Sequence, residues 1–333
     1  MRRHRRYVLL WGLIPPLLAG LFMAELTLGT VSLSLAQIGQ AIDMTHIVPR
    51  SAVIRSIVLD IRLPRALLAM LTGAGLAMVG ALLQTVTRND LADPFLFGLS
   101  SGASAGAVWV ITRLGDQLGI WTLPLASFAG GALSSATVIL IFVLQSHKGT
   151  ERLVVSGLAI SFLFSALTNY FIFTGDQRAA GSVLFWSLGG LGLASWNNIG
   201  IALAAVSLLA GVILFRLRSL DSLLSGEQTA HSLGIPVTRL RIEIFISCAM
   251  ATSALVALTG VIGFIGLMVP HLVRPFSGVR HGKLLPLAAC IGALLLLTGD
   301  ILSRTLAAPQ ELPIGIITGS LGGLFVLAML LRK

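Results

Sequence analysis

"IFISCAMATSALVALTGVIGFIGLMV", residues Ile244–Val269, carries no charged side chain in 26 positions. A helix needs about 20 apolar residues to cross the hydrocarbon core of a bilayer. This run is therefore either one overlong span or two spans joined near Gly260. The choice sets the parity of the whole chain. One reading leaves the termini on opposite sides of a membrane, the other on the same side.

The rest of the chain shows that its solvent is lipid. Only 11% of the 333 residues are charged, and the mean hydropathy is +0.94; a soluble protein carries about 25% charged residues. So few polar side chains cannot cover a globular surface in water. With Ile244–Val269 split, apolar runs lie near 7–29, 64–86, 95–113, 122–146, 153–173, 198–215, 242–258, 261–276, 285–303 and 313–331. That makes ten spans. Both ends then share a side with the loops around 87–94, 147–152, 216–241 and 277–284, and that side holds 16 of the 23 Lys and Arg. The 13 acidic residues divide 6 to 7, as expected when positive charge alone sets orientation. Fusing the seventh and eighth spans would carry Arg332 and Lys333 to the other side. The expectation is an all-α polytopic membrane protein with ten transmembrane helices and both termini cytoplasmic. Residues 1–333 then form a single transmembrane domain.

Several stretches admit two readings. The N-terminus has the basic start and apolar stretch of a signal peptide. Its apolar part, Tyr7–Ala24, is long for one and no small-x-small site follows cleanly, so it reads as the first span, kinked at Pro15 and Pro16. "SVLFWSLGGLGLASW", Ser182–Trp196, is weak for a span and reads as a short glycine-broken helix dipping in from outside. Gly98, Gly102 and Gly106, and again Gly315, Gly319 and Gly323, form smooth stripes for close helix packing, within the chain or between subunits. Cys248 and Cys290 lie inside apolar runs and read as small hydrophobes rather than a disulfide or metal site. The net charge of +10 does not point to nucleic acid, because the basic residues flank apolar runs instead of forming one stripe with aromatics.

"SLDSLLSGEQTAHSLGIPVTRLR", Ser219–Arg241, is a polar island in this apolar chain. Leu220, Leu223 and Leu224 have helical spacing, and Gly226 follows as a stop. "EQTAHSLG" makes a second short helix ending at Gly234, with Pro236 just beyond. Two short amphipathic helices on the cytoplasmic face would make a docking surface; a solvated loop with incidental helicity is the alternative.

Within the island, "LLSGEQTAHSLGIPVTRLR" resembles the cytoplasmic coupling segment of the FecCD-type permeases of ATP-binding-cassette importers for iron-siderophores, haem and cobalamin. Three further stretches are similar to that family in order and spacing. They are "RLPRALLAMLTGAGLAMVGALLQTVTRNDLADPFLFGLSSGA" from Arg62, "GVIGFIGLMVPHLVRPFSG" from Gly260, and "LPLAACIGALLLLTGDILSRTLAAPQELPIGIITGSLGG" from Leu285. The resemblance covers nearly the whole chain and implies the type II ABC importer permease fold. It implies two permeases and two ATPase subunits, fed by a periplasmic substrate-binding protein, in a bacterial inner membrane. On this resemblance Leu223, Leu224, Gly226, Glu227, Ala230, Leu233 and Gly234 contact the ATPase. No G-x-x-x-x-G-K-[ST] phosphate loop is present, so the chain is expected to be no enzyme and to hold no cofactor, with ATP and Mg bound by the ATPase subunit.

Arg62 and Arg65 open the second span and Arg304 ends the ninth. Arginine at a membrane edge often anchors to lipid headgroups. The resemblance instead gives Arg62 and Arg304 a part in docking the binding protein, with Asp300 competing as a local i,i+4 partner of Arg304. Arg178, before the re-entrant segment, could pair with an anionic cargo such as haem propionates, or be a solvated loop arginine beside Asp176. His271 suits a structural or gating role better than haem ligation, since a ligand on the path would trap the cargo. His4, His46, His147, His231 and His281 are placed on loops or tails without metal-ligand spacing.

The expected function is import of an iron complex, haem or ferric siderophore, with cobalamin as the alternative cargo. A secondary carrier would need ionisable groups in mid-membrane, and a channel a filter of charges or carbonyls; the spans show neither. A purely structural membrane subunit is set aside by the resemblance alone.

Overall fold

The computed structural model describes the backbone of residues 2–29, 31–42, 49–115, 117–144 and 151–331. It also describes their side chains, apart from residues 2–6, 42, 49–51, 96, 151 and 177. His46, His147, Gly149, Arg332, Lys333 and the side chain of His4 lie outside the described residues. The helices are α1 (Arg2–Thr27), α2 (Leu35–Ile42), α3 (Pro49–Ser56), α4 (Leu63–Thr87), α5 (Leu99–Trp109), α6 (Thr122–Leu144) and α7 (Glu151–Thr174). They continue as α8 (Ala180–Ser187), α9 (Trp196–Leu223), α10 (Glu227–Ser232), α11 (Val237–Thr259), α12 (Ile265–Ser277), α13 (His281–Thr305) and α14 (Ile314–Leu331). No strand occurs among the described residues.

Eight segments are long and apolar enough to cross a bilayer, carried by α1, α3 with α4, α6, α7, α9, α11, α13 and α14. The other two expected spans are shorter helices. One is α5, prolonged by a π-helical turn over Val110–Leu114. The other is α12, whose 13 residues rise roughly 20 Å, less than the roughly 30 Å hydrocarbon core. The run Ile244–Val269 is thus split. α11 ends at Thr259, Gly260 turns the chain at φ +65°, and α12 begins at Ile265. A Cβ on Gly260 would lie 2.2 Å from the carbonyl oxygen of Trp186, so glycine is needed there both for its dihedral and for its closeness.

The irregular backbone at this break is covered by protein rather than lipid, as a membrane interior requires. The stretch following α8 supplies the cover. Gly190 N–H donates to Thr259 O (2.8 Å), Ile314 N–H to Gly189 O (3.1 Å) and Gly315 N–H to Leu188 O (3.0 Å). Ser182–Trp196 is therefore a short helix followed by a glycine-containing turn, bonded to the end of α11 and the start of α14.

α4 and α11 are the most buried spans and α1 the least. Between helices in lipid no water is expelled, so close backbone packing holds them together. A Cβ on Gly80 would sit 1.9 Å from Gly266 O, and one on Gly73 2.2 Å from Gly292 O, which locks α4 against α12 and α13. The first glycine stripe packs inside the chain, Gly102 on Gly130 and Gly106 on Ala126 of α6. The second is divided. Gly315 abuts Leu188 O, whereas Gly319 and Gly323 have nothing within 4 Å of an added Cβ. The chain has two polar ends, one carrying α10 and the last turn of α4, the other carrying α8 and the arginines at the start of α4.

Candidate functional site

At the α10 end, α9 does not stop near residue 215 but runs to Leu223, with Leu224 as its C-cap. Leu220, Leu223 and Leu224 thus close a long helix, not a separate short one. The polar island contains one short helix, α10, bracketed by Gly226 (φ +111°) and Gly234 (φ +77°). Leu220, Leu223 and Ala230 are buried, while Leu224 is 41% and Leu233 65% exposed. The Glu227 carboxylate accepts from Nη1 and Nη2 of Arg241, both at 3.0 Å. Arg241 is buried and donates its Nε to the Val86 carbonyl of α4 (3.1 Å). The Arg241 hydrogen bond holds the Glu227 carboxyl below its ordinary pKa. A cavity of about 540 Å³ beside α10 is lined by His231, Pro236, Val237, Thr238, Arg239, Ile242 and Glu243. α10 is thus a short, anchored segment flanked by two outward leucines, Leu224 at the end of α9 and Leu233 just after α10.

At the α8 end the arginines differ from expectation. Arg62 and Arg304 are 5% and 4% exposed, so neither stands free at a surface in this conformation. Both are turned onto the C-terminal end of α1. Arg62 donates to the carbonyls of Leu26 and Val31. Arg304 donates to Leu28 O (3.1 Å) and Glu25 O (3.3 Å) and pairs with the Glu25 carboxylate. Terminal carbonyls of a helix lack intrahelical partners, and cations there are favourable. The local pair of Arg304 with Asp300 is present at 3.2 Å. Asp300, wholly buried, is bound more fully by Arg65, from Nε to Oδ2 and Nη2 to Oδ1, each at 2.9 Å. Arg65 also reaches Glu311 at 2.9 Å. A desolvated ionic cluster of α1, α4 and α13 therefore stands where exposed docking arginines were expected.

Arg178 lies beside this cluster. It is exposed, its guanidinium makes no ion pair among the described residues, and its backbone N–H donates to Asp176 Oδ1 (2.9 Å). It lines a cavity of about 720 Å³ with Arg65, Phe185, Trp186 and Glu311, walled further by the turn Gly189–Leu193. Deeper, a second cavity of about 410 Å³ lies among Asp93, Phe95, Val261, Phe264, Leu267 and Gly319. Asp93 accepts from Phe95 N–H (2.9 Å), and burial pushes its carboxyl up to about 6. Phe264 holds the left-handed φ of +67°, with its ring in the notch at Gly322. His271 is half-buried in α12, its Nδ1 3.3 Å from Leu267 O and its ring edge against Phe325, which gives it a packing role.

Three residues of these buried polar contacts escape a reading of the sequence. Glu25 is one lone carboxylate near the end of an apolar run, and Arg65 looks equivalent to its neighbour Arg62. His281, expected on a loop, is the first residue of α13 and fully buried. Only the i,i+4 spacing of Asp300 and Arg304 was available as a signal.

A helical bundle with eight long apolar spans, two shorter helices and a break covered by protein is a polytopic membrane fold. The FecCD transport family model matches residues 17–332, and the chain belongs to that family. It is 39% identical over 278 residues to the hemin transport system permease protein HmuU of Yersinia pestis, covering 83% of each chain. It is 38% identical over 283 residues to the cobalamin import system permease protein BtuC of Halobacterium salinarum, covering 85% of this chain and 75% of that one. A solved structure described as an inward-facing conformation of a metal-chelate type ABC transporter matches with a TM-score of 0.85. It is 29% identical and covers 98% of this chain and 99% of that one. The chain is thus an ABC importer permease, and its relatives carry different cargoes.

Proposed function

We infer that this permease imports an iron complex, haem first among them, from periplasm to cytoplasm across a bacterial inner membrane. Both termini are cytoplasmic in this reading, as the Lys and Arg distribution favours. A second copy of the chain completes the path; the open face at Gly319 and Gly323 supports that pairing. The observation that carries the reading is α10, fixed through Glu227 and Arg241 to α4 and flanked by the exposed Leu224 and Leu233. An ATPase subunit gripping Leu223–Gly234 would move α4 with it. Two ATPase copies hold ATP and Mg, and this chain supplies the path and the lever.

At the opposite end a periplasmic binding protein docks. Since Arg62 and Arg304 are covered, their part is to hold the end of α1 that the partner meets, and Arg178 offers the exposed positive charge. The haem relative and the cobalamin relative are almost equally similar, so similarity does not choose the cargo. Arg178 beside Phe185 and Trp186 does favour a flat, anionic, aromatic cargo. The cavity wall is otherwise mostly apolar, which suits a path where the binding protein does the selecting.

The test is reconstitution with the ATPase subunit and measurement of ATP-dependent accumulation of haemin, ferrichrome and cyanocobalamin through their loaded binding proteins. Haemin transport that needs both ATP and the ATPase is expected. Accumulation without ATP would make the chain a secondary carrier, and cyanocobalamin transport with haemin excluded would reverse the cargo.

A further inference from the structure

The last turn of α4 is held from three directions through three consecutive residues. Gln84, 2% exposed, accepts from Nη2 of Arg274 in α12 at 2.7 Å. Its amide nitrogen faces the carbonyls of Gly266 and Leu267 at 3.3 and 3.4 Å. Thr85 Oγ1 lies 2.9 Å from Nε2 of His281 at the start of α13. The other ring nitrogen of that histidine is 2.7 Å from Asp221 Oδ1, in the last turn of α9. The backbone N–H of His281 donates to the same oxygen at 2.8 Å. Val86 O accepts from Arg241, whose remaining nitrogens grip Glu227.

Two of these contacts begin in the polar island. Asp221 and Glu227 are six positions apart, on either side of Gly226, and they reach adjacent residues of α4 through one buried side chain each. Both intermediaries are buried, Arg241 at 4% and His281 at 0% exposed. The bonds on the α4 side are therefore shielded from water, and a missing partner there leaves a polar atom unsatisfied, while the Asp221 and Glu227 carboxylates stay partly exposed. α4 then runs roughly 30 Å from Thr85 to Arg65 at 1.5 Å per residue. At its far end Arg65 is bonded to Asp300 of α13 and to Glu311, and it lines the cavity that holds Arg178. α4 and α13 are thus joined at both ends, by Thr85–His281 near α10 and by Arg65–Asp300 near α8.

The geometry points to a double latch, Asp221–His281–Thr85 and Glu227–Arg241–Val86, that couples displacement of the polar island to the α4–α13 pair and so to the distant cavity. His281 and Arg241 are its positioning residues. Both are buried within the chain; His281 fixes the end of α4 against the last turn of α9, and Arg241 fixes it against α10. This rests on the reading of α10 as the segment gripped by the ATPase. The His281 arm is the more diagnostic, because His281 lies 40 residues beyond the island and is fully buried within the chain.

The test uses the full permease assembled with its ATPase subunit. Ser182, exposed in the cavity at the α8 end, is replaced by cysteine. Its labelling by a membrane-impermeant maleimide is timed without nucleotide and with ATP plus vanadate, over the background of Cys290. Parent protein should label at clearly different rates in the two states. Thr85→Val and Asp221→Asn should each shrink that difference about fivefold, the equilibrium change expected from one buried hydrogen bond, with the ATPase subunit still bound and hydrolysing. The double variant should be no worse than either single one, because the groups act in series. Thr85→Ser should restore the response, which a general packing defect would not allow. A nucleotide response that persists at parental size in both single variants overturns the latch. If it also persists when residues 222–234 are scrambled, the coupling reading of α10 falls as well; if scrambling alone abolishes it, only the latch falls.

Discussion

Replacing Arg304 with alanine separates a structural arginine from a docking one. In the folded chain this guanidinium sits between two wholly buried carboxylates, Glu25 and Asp300. It also donates to the carbonyls of Glu25 and Leu28. Asp300 keeps its two bonds from Arg65 when Arg304 is lost, but Glu25 keeps no cation at ion-pair distance among the described residues. Removing one partner of a buried pair costs about 3–5 kcal/mol, or at least a hundredfold in the folded population at 1.4 kcal/mol per decade. An exposed docking arginine would contribute only about 0–1 kcal/mol. The predictions differ by more than the scatter of either measurement. Thermal challenge followed by fluorescence-detected size-exclusion should show Arg304→Ala destabilised and poorly accumulated. Glu25→Leu combined with Arg304→Met should recover most of the loss, since deleting a whole buried pair is often nearly neutral. Parental yield and parental unfolding midpoint for Arg304→Ala, with only the affinity for the binding protein reduced, would refute the buried-cluster account.

Glu227→Gln should weaken ATPase-subunit association by about fivefold, a charge-assisted pair discounted for partial exposure, and Leu233→Asp should weaken it too, both read by co-purification. The folded pKa of Glu227 lies below its ordinary 4.5. Its pairing is therefore complete above that pH and is lost only as pH falls through the lowered value. The difference between parent and Glu227→Gln should thus stay constant from pH 8 to 5.5, and a difference that vanishes by pH 6 contradicts the assignment. Gly80→Ala should cost about 1–3 kcal/mol or more through overpacking against Gly266 O. Gly323→Ala should leave the unfolding midpoint of the single chain unchanged, since nothing lies within 4 Å of an added Cβ, so loss of transport there with stability intact would place a second copy on that face. For topology, a cysteine at Ser222 should label only from the cytoplasm and one at Gln177 only from outside; cytoplasmic labelling of Gln177 would end the ten-span orientation.

Spans were legible because a bilayer imposes length and apolarity on each segment, and that constraint is local in sequence. The break at Gly260 was legible for a different reason: the Lys and Arg distribution depends on parity, so distant loops constrain a single turn. The boundary of α9 was not. Its last turns are polar and look like a separate helix, yet the backbone stays helical to Leu223, just ahead of Gly226, whose φ of +111° no helix can hold. The ionic cluster was hidden by separation. Arg65 and Asp300 are 235 positions apart, and nothing local in either segment announces the other. His281 was hidden in the same way, since its two ring partners come from α4 and α9 while its neighbours Arg280 and Gly282 look like a loop. Arginine also changes meaning with depth. Arg62, Arg65, Arg178 and Arg304 all lie near one end of the bundle in this topology. Three of them are spent on buried carboxylates and on carbonyls at and just beyond the end of α1, so of the four only Arg178 has a guanidinium without an ion pair among the described residues. A motif fixes which residue types recur at that end, but exposure decides which of them can meet a partner, and exposure follows from contacts between segments far apart in the chain.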